Sequence, residues 1–213
     1  MRKRKKKISI VYILIILLFI LLFRLVEDVG DDTAVPGRFT VVKVIDGDTF
    51  EITGGDRVRI LSVDTPEKDE LYYDEAKSFV NDLLLGKVVN LEYGSYRRDR
   101  YGRLLAYVYL DSVFVNKAIL DNGLGYLYLF KDNAKNRRTS ELLHSQIEAI
   151  TNKDGIWSLE KIEEDYYLSS PGSYRLHRPG CNSLKLSEEN YIRYSSRLDG
   201  YIEGLSPCRN CRP

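Results

Sequence analysis

The stretch RVRILSVDTPE, Arg57 to Glu67, decides how this chain folds, because charged and apolar residues alternate along it before a proline ends the pattern. A period of two predicts a strand over Arg57–Val63, with Arg57 and Arg59 on the side opposite Val58 and Ile60. Upstream, β-branched residues dominate Phe39–Ile45, and the Asp-Gly step at Asp46 and Gly47 leads into Thr49–Thr53, the pattern of a hairpin. Downstream, Ala76, Phe79, Val80, Leu83 and Leu84 recur at helical spacing, and Gly86 stands where that helix should stop. Two further strands follow, Val88–Tyr93 and Arg103–Leu110, separated by a polar, arginine-rich loop. A short helix over Val115–Asn122 is stopped by Gly123, and Leu143, Ile147 and Ile150 mark a third within Arg137–Asn152, ahead of Gly155 and Trp157. Five strands and three helices therefore predict one compact α+β unit.

Both ends of the chain differ from this unit. Arg2, Lys3, Arg4, Lys5, Lys6 and Lys7 precede an uncharged run from Ile8 to Phe23, a membrane-insertion signal. Sixteen residues span roughly 24 Å as a helix, and a snorkelling Arg24 lets Leu25 and Val26 extend the span. The run reads as an uncleaved signal anchor with its basic end cytoplasmic; the alternative is secretion after signal cleavage, although no small-x-small site follows the run directly. Residues 1–26 are thus assigned to a transmembrane segment, 27–38 to an acidic linker, 39–160 to the folded domain and 161–213 to a C-terminal module. The overall charge of +1 hides an asymmetry: seven of the 32 basic residues lie before Leu25, leaving 25 basic against 31 acidic beyond it. That balance excludes a globally basic nucleic-acid binder, so any grip on phosphate must come from local arginines.

Three segments, VIDGDTF, RVRILSVDTPE and DRYGRLLAYVY, carry groups suited to cutting a phosphodiester bond. Asp48 and Asp64 offer hard carboxylate oxygens which, with a backbone carbonyl such as that of Thr65, suit Ca²⁺. Such an ion would offset phosphate charge and position water. Arg59 and Arg103 supply permanently charged forks for phosphate oxygens and for the charge of a pentacoordinate transition state. Glu67, after Pro66, is placed to accept a proton from the attacking water. Singly these features are ordinary, since Asp-Gly-Asp is common turn chemistry and a lone strand arginine is commonly solvated.

Their joint order, IDGDT, an arginine five residues ahead of the aspartate of VDTPE, then YGR before an apolar strand and a helix, closely resembles the staphylococcal nuclease (thermonuclease) family from Phe39 to about Trp157, ending in GIWS. The resemblance implies a five-stranded OB-fold barrel with three helices that cleaves DNA and RNA with little sequence preference in the presence of Ca²⁺, leaving 5′-hydroxyl and 3′-phosphate ends. Residue by residue it makes Asp48 and Asp64 the calcium carboxylates, Thr65 the carbonyl ligand, and Arg59, Glu67 and Arg103 the catalytic trio, with Asp46 a carboxylate behind the ion. Arg100, Tyr101 and Tyr128 correspond to groups lining the nucleotide site, though simple strand packing accounts for Tyr128 equally well. His144, away from every motif, reads as a solvated or packed side chain. The stretch KDELYYDEA after Glu67 is shorter and more acidic than the family's lysine-rich loop. A module that binds nucleic acid without cutting it is the alternative, against which the complete acidic and arginine set counts.

All three cysteines lie in the last 33 residues. His177 and Cys181, then Cys208 and Cys211, have spacings suited to tetrahedral Zn²⁺, and a segment of about 45 residues needs such a staple. The rival is a disulfide with one thiol left over, as an extracytoplasmic chain permits. HRPGC and PCRNCRP resemble the zinc-binding module of the Ada DNA-repair protein, roughly over Ser173–Pro213. His177 stands where Ada carries its methyl-accepting cysteine, so the resemblance leaves a structural or DNA-holding role. Nucleic acid and, through the N-terminal run, the membrane are the partners this reading implies.

Overall fold

Val41, Phe50, Val58 and Ile60, on three successive strands, are completely buried, as strands that close around a single core require. The structure is a computed structural model that describes residues 37–213. The membrane helix expected within residues 1–26 lies outside them, and among the described residues no helix is long and apolar enough to cross a membrane.

Strands β1 (Arg38–Val44), β2 (Thr49–Ile52) and β3 (Arg57–Ile60) form an antiparallel meander. Its turn is the Asp46–Asp48 step, whose tightness has a stated cause: a Cβ on Gly47 would fall 2.7–2.9 Å from Thr65 and Ala76. The expected third strand ends early. After Ile60 the chain turns through Leu61 and Ser62, the latter at φ 63°, and Val63–Asp64 becomes β4. This short strand leaves the meander to pair with β8 (Tyr126–Leu127). Helix α1 (Tyr73–Leu84) buries Ala76, Val80 and Leu84. Strand β5 (Val88–Arg98) runs antiparallel to β1 and to β6 (Leu104–Leu110), so strand continues where a loop was expected to begin. The barrel closes where β6 lies parallel to β3, with Val58, Arg59 and Ile60 opposite Leu104, Leu105 and Ala106. A two-residue strand, β7 (Val113–Phe114), extends β6 before helix α2 (Val115–Asp121), and α3 spans Arg137–Asn152. The result is a closed five-stranded barrel with flanking helices, consistent with an OB-fold.

Among the described residues, four α-helices stand where three were expected. The fourth, α4 (Arg197–Ile202), has six residues, too few to show a period. It is set by a capping box in which the Ser196 hydroxyl accepts from the Asp199 N–H and the Asp199 carboxylate accepts from the Ser196 N–H.

The described residues form one compact unit with two cores. The second core, Tyr167, Leu176, Tyr194, Tyr201 and Leu205, packs on Tyr126, Ile150 and Trp157. Around it β9 (Tyr167–Ser169) pairs with β11 (Ile192–Tyr194), and β10 (Arg175–Leu176) with β12 (Ser206–Pro207). Gln146 on α3 ties both sides together. Its Oε1 accepts from the Leu127 N–H at 2.7 Å and its Nε2 donates to the Tyr201 carbonyl at 2.7 Å.

Asn116 does the same for the barrel's corner. Fully buried, it accepts from the Val108 N–H at 2.9 Å and donates to the Leu61 carbonyl at 2.6 Å. Replacing it with alanine orphans two buried backbone groups, so Asn116→Ala should lower unfolding free energy by at least about 2 kcal/mol, measurable as a lower urea midpoint at unchanged slope.

Candidate active site

The β1–β2 turn, the end of β3, the loop after β4 and the loop before β6 meet at one end of the barrel. There a cleft of about 90 Å³ is lined by Asp46, Asp48, Arg59, Thr65, Pro66, Glu67, Arg103 and Arg209. Asp48, Arg59, Asp64 and Thr65 are only 6–9% exposed. Arg59 is thus buried rather than solvated, and its partners explain how. Its Nη2 lies 3.0 Å from Asp48 Oδ2 and 2.9 Å from Asp64 Oδ1, while Nη1 donates to the carbonyls of Ile60 and Val63 at 2.7 and 2.5 Å. A guanidinium with this many acceptors can be buried without orphaned donors on those two nitrogens.

The carboxylates are held from the other side. Asp48 Oδ2 accepts from the Thr65 N–H at 3.1 Å, Asp48 Oδ1 from the Thr49 hydroxyl at 2.9 Å, and Asp46 Oδ1 from the Asp48 N–H at 3.0 Å. Burial, then the neighbouring Asp48 charge, pushes the Asp46 carboxyl up to about 6. Burial also raises Asp64, against the pull of Arg59 and Arg209. Asp46 and Asp64, grouped closely with Asp48 and carrying more desolvation than their partners offset, belong to a donor set that gains from a bound cation. Their hard oxygens suit Ca²⁺.

Arg103 enters from the opposite rim. Asp99 orients it, accepting from its Nε at 2.8 Å and from its backbone N–H at 3.0 Å, and Nη1 lies 3.5 Å from the Thr49 hydroxyl. Glu67 is exposed at the mouth, its N–H bonded to Glu70 at 2.7 Å. Arg100 and Tyr101 stand outside the cleft on the loop before β6. Arg100 donates to the Tyr101 hydroxyl at 2.6 Å, and the ring carries the Arg103 guanidinium 5.6 Å from its centroid. Tyr128 does not line the cleft: its ring is covered by Arg175 at 3.8 Å. His144 is on the outer face of α3, 3.2 Å from Glu148.

Sequence reasoning missed Arg209. Its Nη2 lies 2.8 Å from Asp64 Oδ1 and 3.3 Å from Glu67 Oε1, across 145 positions of chain from Asp64. The signal available was its place inside PCRNCRP, which tells of a metal loop and nothing of where that loop docks.

The second cluster lies in the same tail. One donor atom each from His177, Cys181, Cys208 and Cys211 falls within 4.8 Å of the others. Cys181 Sγ and Cys208 Sγ are 4.0 Å apart and all three cysteines are unbridged. Tetrahedral zinc bonds of about 2.3 Å imply edges of about 3.8 Å, close to that spacing. His177 Nδ1 is buried without a hydrogen-bond partner, a vacancy a metal bond would satisfy. Backbone amides already point at the sulfurs: Asn210 N–H at Cys208 Sγ, 3.4 Å, and Arg178 N–H at Cys211 Sγ, 3.3 Å. The donor set therefore fits zinc.

Comparison with known proteins bears on the barrel. Residues 57–159 match the family model described as staphylococcal nuclease homologue. The chain is 32% identical over 141 residues to a thermonuclease of Staphylococcus hyicus, covering 62% of this chain and 82% of that protein. With a thermonuclease of Staphylococcus intermedius it shares 36% identity over 167 residues, 72% of this chain and 98% of the relative. An uncharacterized endonuclease of Escherichia coli is 35% identical over 123 residues, 55% of this chain and 75% of that one. With the relatives' thermonuclease and endonuclease activities matched by a barrel and an acid-and-arginine cleft, the chain belongs to the staphylococcal nuclease family and is a nuclease.

Proposed function

We propose that this nuclease is a calcium-dependent endonuclease that cuts DNA and/or RNA with little sequence preference, leaves 5′-hydroxyl and 3′-phosphate ends, and works outside the cell membrane. The observation that carries the chemistry is the convergence of Asp48, Arg59, Thr65, Glu67 and Arg103 on one small cleft, with Asp64 ion-paired into it. Asp48 and Asp64, with the Thr65 carbonyl, hold the ion, whose chemistry is to offset phosphate charge and help position water. Glu67, exposed at the mouth, takes the proton of the attacking water. Arg103, oriented by Asp99, and Arg59, fixed by two carbonyls, face the phosphate as preorganised charges. Tyr101 and Arg100 offer an aromatic face and a cation for the strand that enters over the loop. Tyr128, under Arg175, supports this reading less than those two do.

His177, Cys181, Cys208 and Cys211 hold structural Zn²⁺ in a module of the Ada-type kind without methyl transfer. The orphaned His177 Nδ1 supports the metal. Arg2–Lys7 ahead of Ile8–Phe23 support a signal anchor, with the catalytic unit on the far side. Protease treatment of intact cells should then remove nuclease activity, and survival of that activity would contradict the placement.

Glu67→Ala and Arg59→Lys should each reduce kcat by at least about 10²-fold while circular dichroism remains that of the parent. Lysine keeps the charge that the buried acids need but loses the fork. Near-parental turnover in both would refute the roles. Calcium titration with a chelator control should show cleavage of single- and double-stranded substrates only when the ion is present. Metal analysis should find one zinc per chain, and its removal should lower Tm by several degrees; a metal-free protein of unchanged Tm would remove the zinc assignment.

A further inference from the structure

Arg209 belongs to the Cys/His tail by sequence and to the nuclease cleft by position. Its neighbours Cys208 and Cys211 are two of the four clustered ligands, and the loop between them is pinned on every side. The Cys208 N–H donates to the Leu176 carbonyl at 2.9 Å, the Arg212 N–H to the Cys208 carbonyl at 2.8 Å, and Asn210 Nδ2 to the Ser183 hydroxyl at 2.6 Å. Arg212 Nη1 meets Glu70 Oε1 at 2.6 Å, next to the Glu67 turn. A loop tied in this way fixes where the Arg209 backbone sits, and from there the side chain reaches Asp64 and Glu67.

We propose that the Cys/His cluster is a clasp that delivers Arg209 to the nuclease cleft as a third phosphate-binding guanidinium, gripping the phosphate beside the one being cut. This rests on the nuclease reading of the cleft. Two observations favour a phosphate as its partner over a merely structural ion pair. First, Arg59 is buried and held by two carbonyls, whereas the Arg209 side chain is 61% exposed, so it can exchange its contact with Asp64 Oδ1 for one with a phosphate oxygen. Second, Arg209 lines both the cleft and the adjoining open groove, whose wall includes Arg57, Tyr101 and Arg103. It therefore stands at the junction a polyanionic strand would cross. Charge balance points the same way. Asp46, Asp48, Asp64, Glu67 and the Asp99 that pairs with Arg103 face Arg59, Arg103 and Arg209, so a divalent ion brings the cleft to neutrality; without Arg209 it would keep one net negative charge, which repels phosphate. The rest of the chain beyond Leu25 is acidic, which makes each local cation count for more.

The test measures binding, so that it does not depend on turnover. In a Glu67→Gln background with calcium present, anisotropy of a labelled single-stranded oligonucleotide gives Kd as a function of salt. Arg209→Ala should raise Kd about tenfold and reduce the slope of log Kd against log salt by about one; Arg209→Lys should recover the slope and part of the affinity. A zinc-selective chelator should raise Kd of the Arg209-containing protein to the Arg209→Ala value and leave the Arg209→Ala protein unchanged, whether the tail shifts or unfolds. Unaltered Kd in Arg209→Ala, or tighter binding as expected of a plug, overturns the phosphate role. Loss in Arg209→Ala without loss on chelation overturns the clasp. Failure of the parent chain to cut with calcium would count against the nuclease reading, and it is seen separately because Kd is read without cleavage.

Discussion

Everything at the working end of this barrel depends on one buried guanidinium. Arg59 sits at the seam where β3 meets β6, between two carboxylates and against two carbonyls. Isolated burial of Asp48 and Asp64 side by side would cost several kcal/mol per ion, and so would isolated burial of the arginine. Together they make a fixed triad, and its rigidity comes from Arg59's planar fork, which meets several acceptors in one orientation. The early end of β3 follows from the same arrangement: the chain must turn at Leu61 and Ser62 for Val63 to present its carbonyl and Asp64 its side chain to Arg59.

Around that triad the packing is built to hold chain ends in place. Asn116 fixes the Leu61 corner from within, and the close approach at Gly47 sets the β1–β2 turn against Thr65. Gly125 brings β8 against Asp64, since a Cβ there would lie 2.9 Å from the Asp64 carbonyl oxygen. Each is a short-range steric or hydrogen-bond constraint acting on a residue next to the site. The acids and arginines are therefore preorganised by the core rather than by one another alone.

The tail is seated by a different kind of contact. Tyr126, Trp157 and Tyr201 lie with ring centroids 5.1–5.5 Å apart, and Gln146 bonds both β8 and α4. Because β8 also pairs with β4, the same element that positions Asp64 supports the tail. Two donor sets of different chemistry share this small unit. Carboxylates select a hard cation, whereas thiolates and imidazole select a softer one.

Much of this was legible without coordinates. The bounds of α3 matched the helical period, and the order of acids and arginines singled out Asp48, Arg59, Asp64, Glu67 and Arg103 before their convergence was visible. Less legible were α4, too short for a period and set by its capping box, the early end of β3, and the seating of Arg175 over the Tyr128 ring. By itself the sequence determined local geometry and the chemistry on offer, since periodicity, turn residues and ligand spacing act over a few positions and leave a pattern. Only the tertiary structure decided that Arg209 from the tail shares Asp64 with Arg59. An ion pair across 145 positions depends on how two cores dock, and docking leaves no period in either partner.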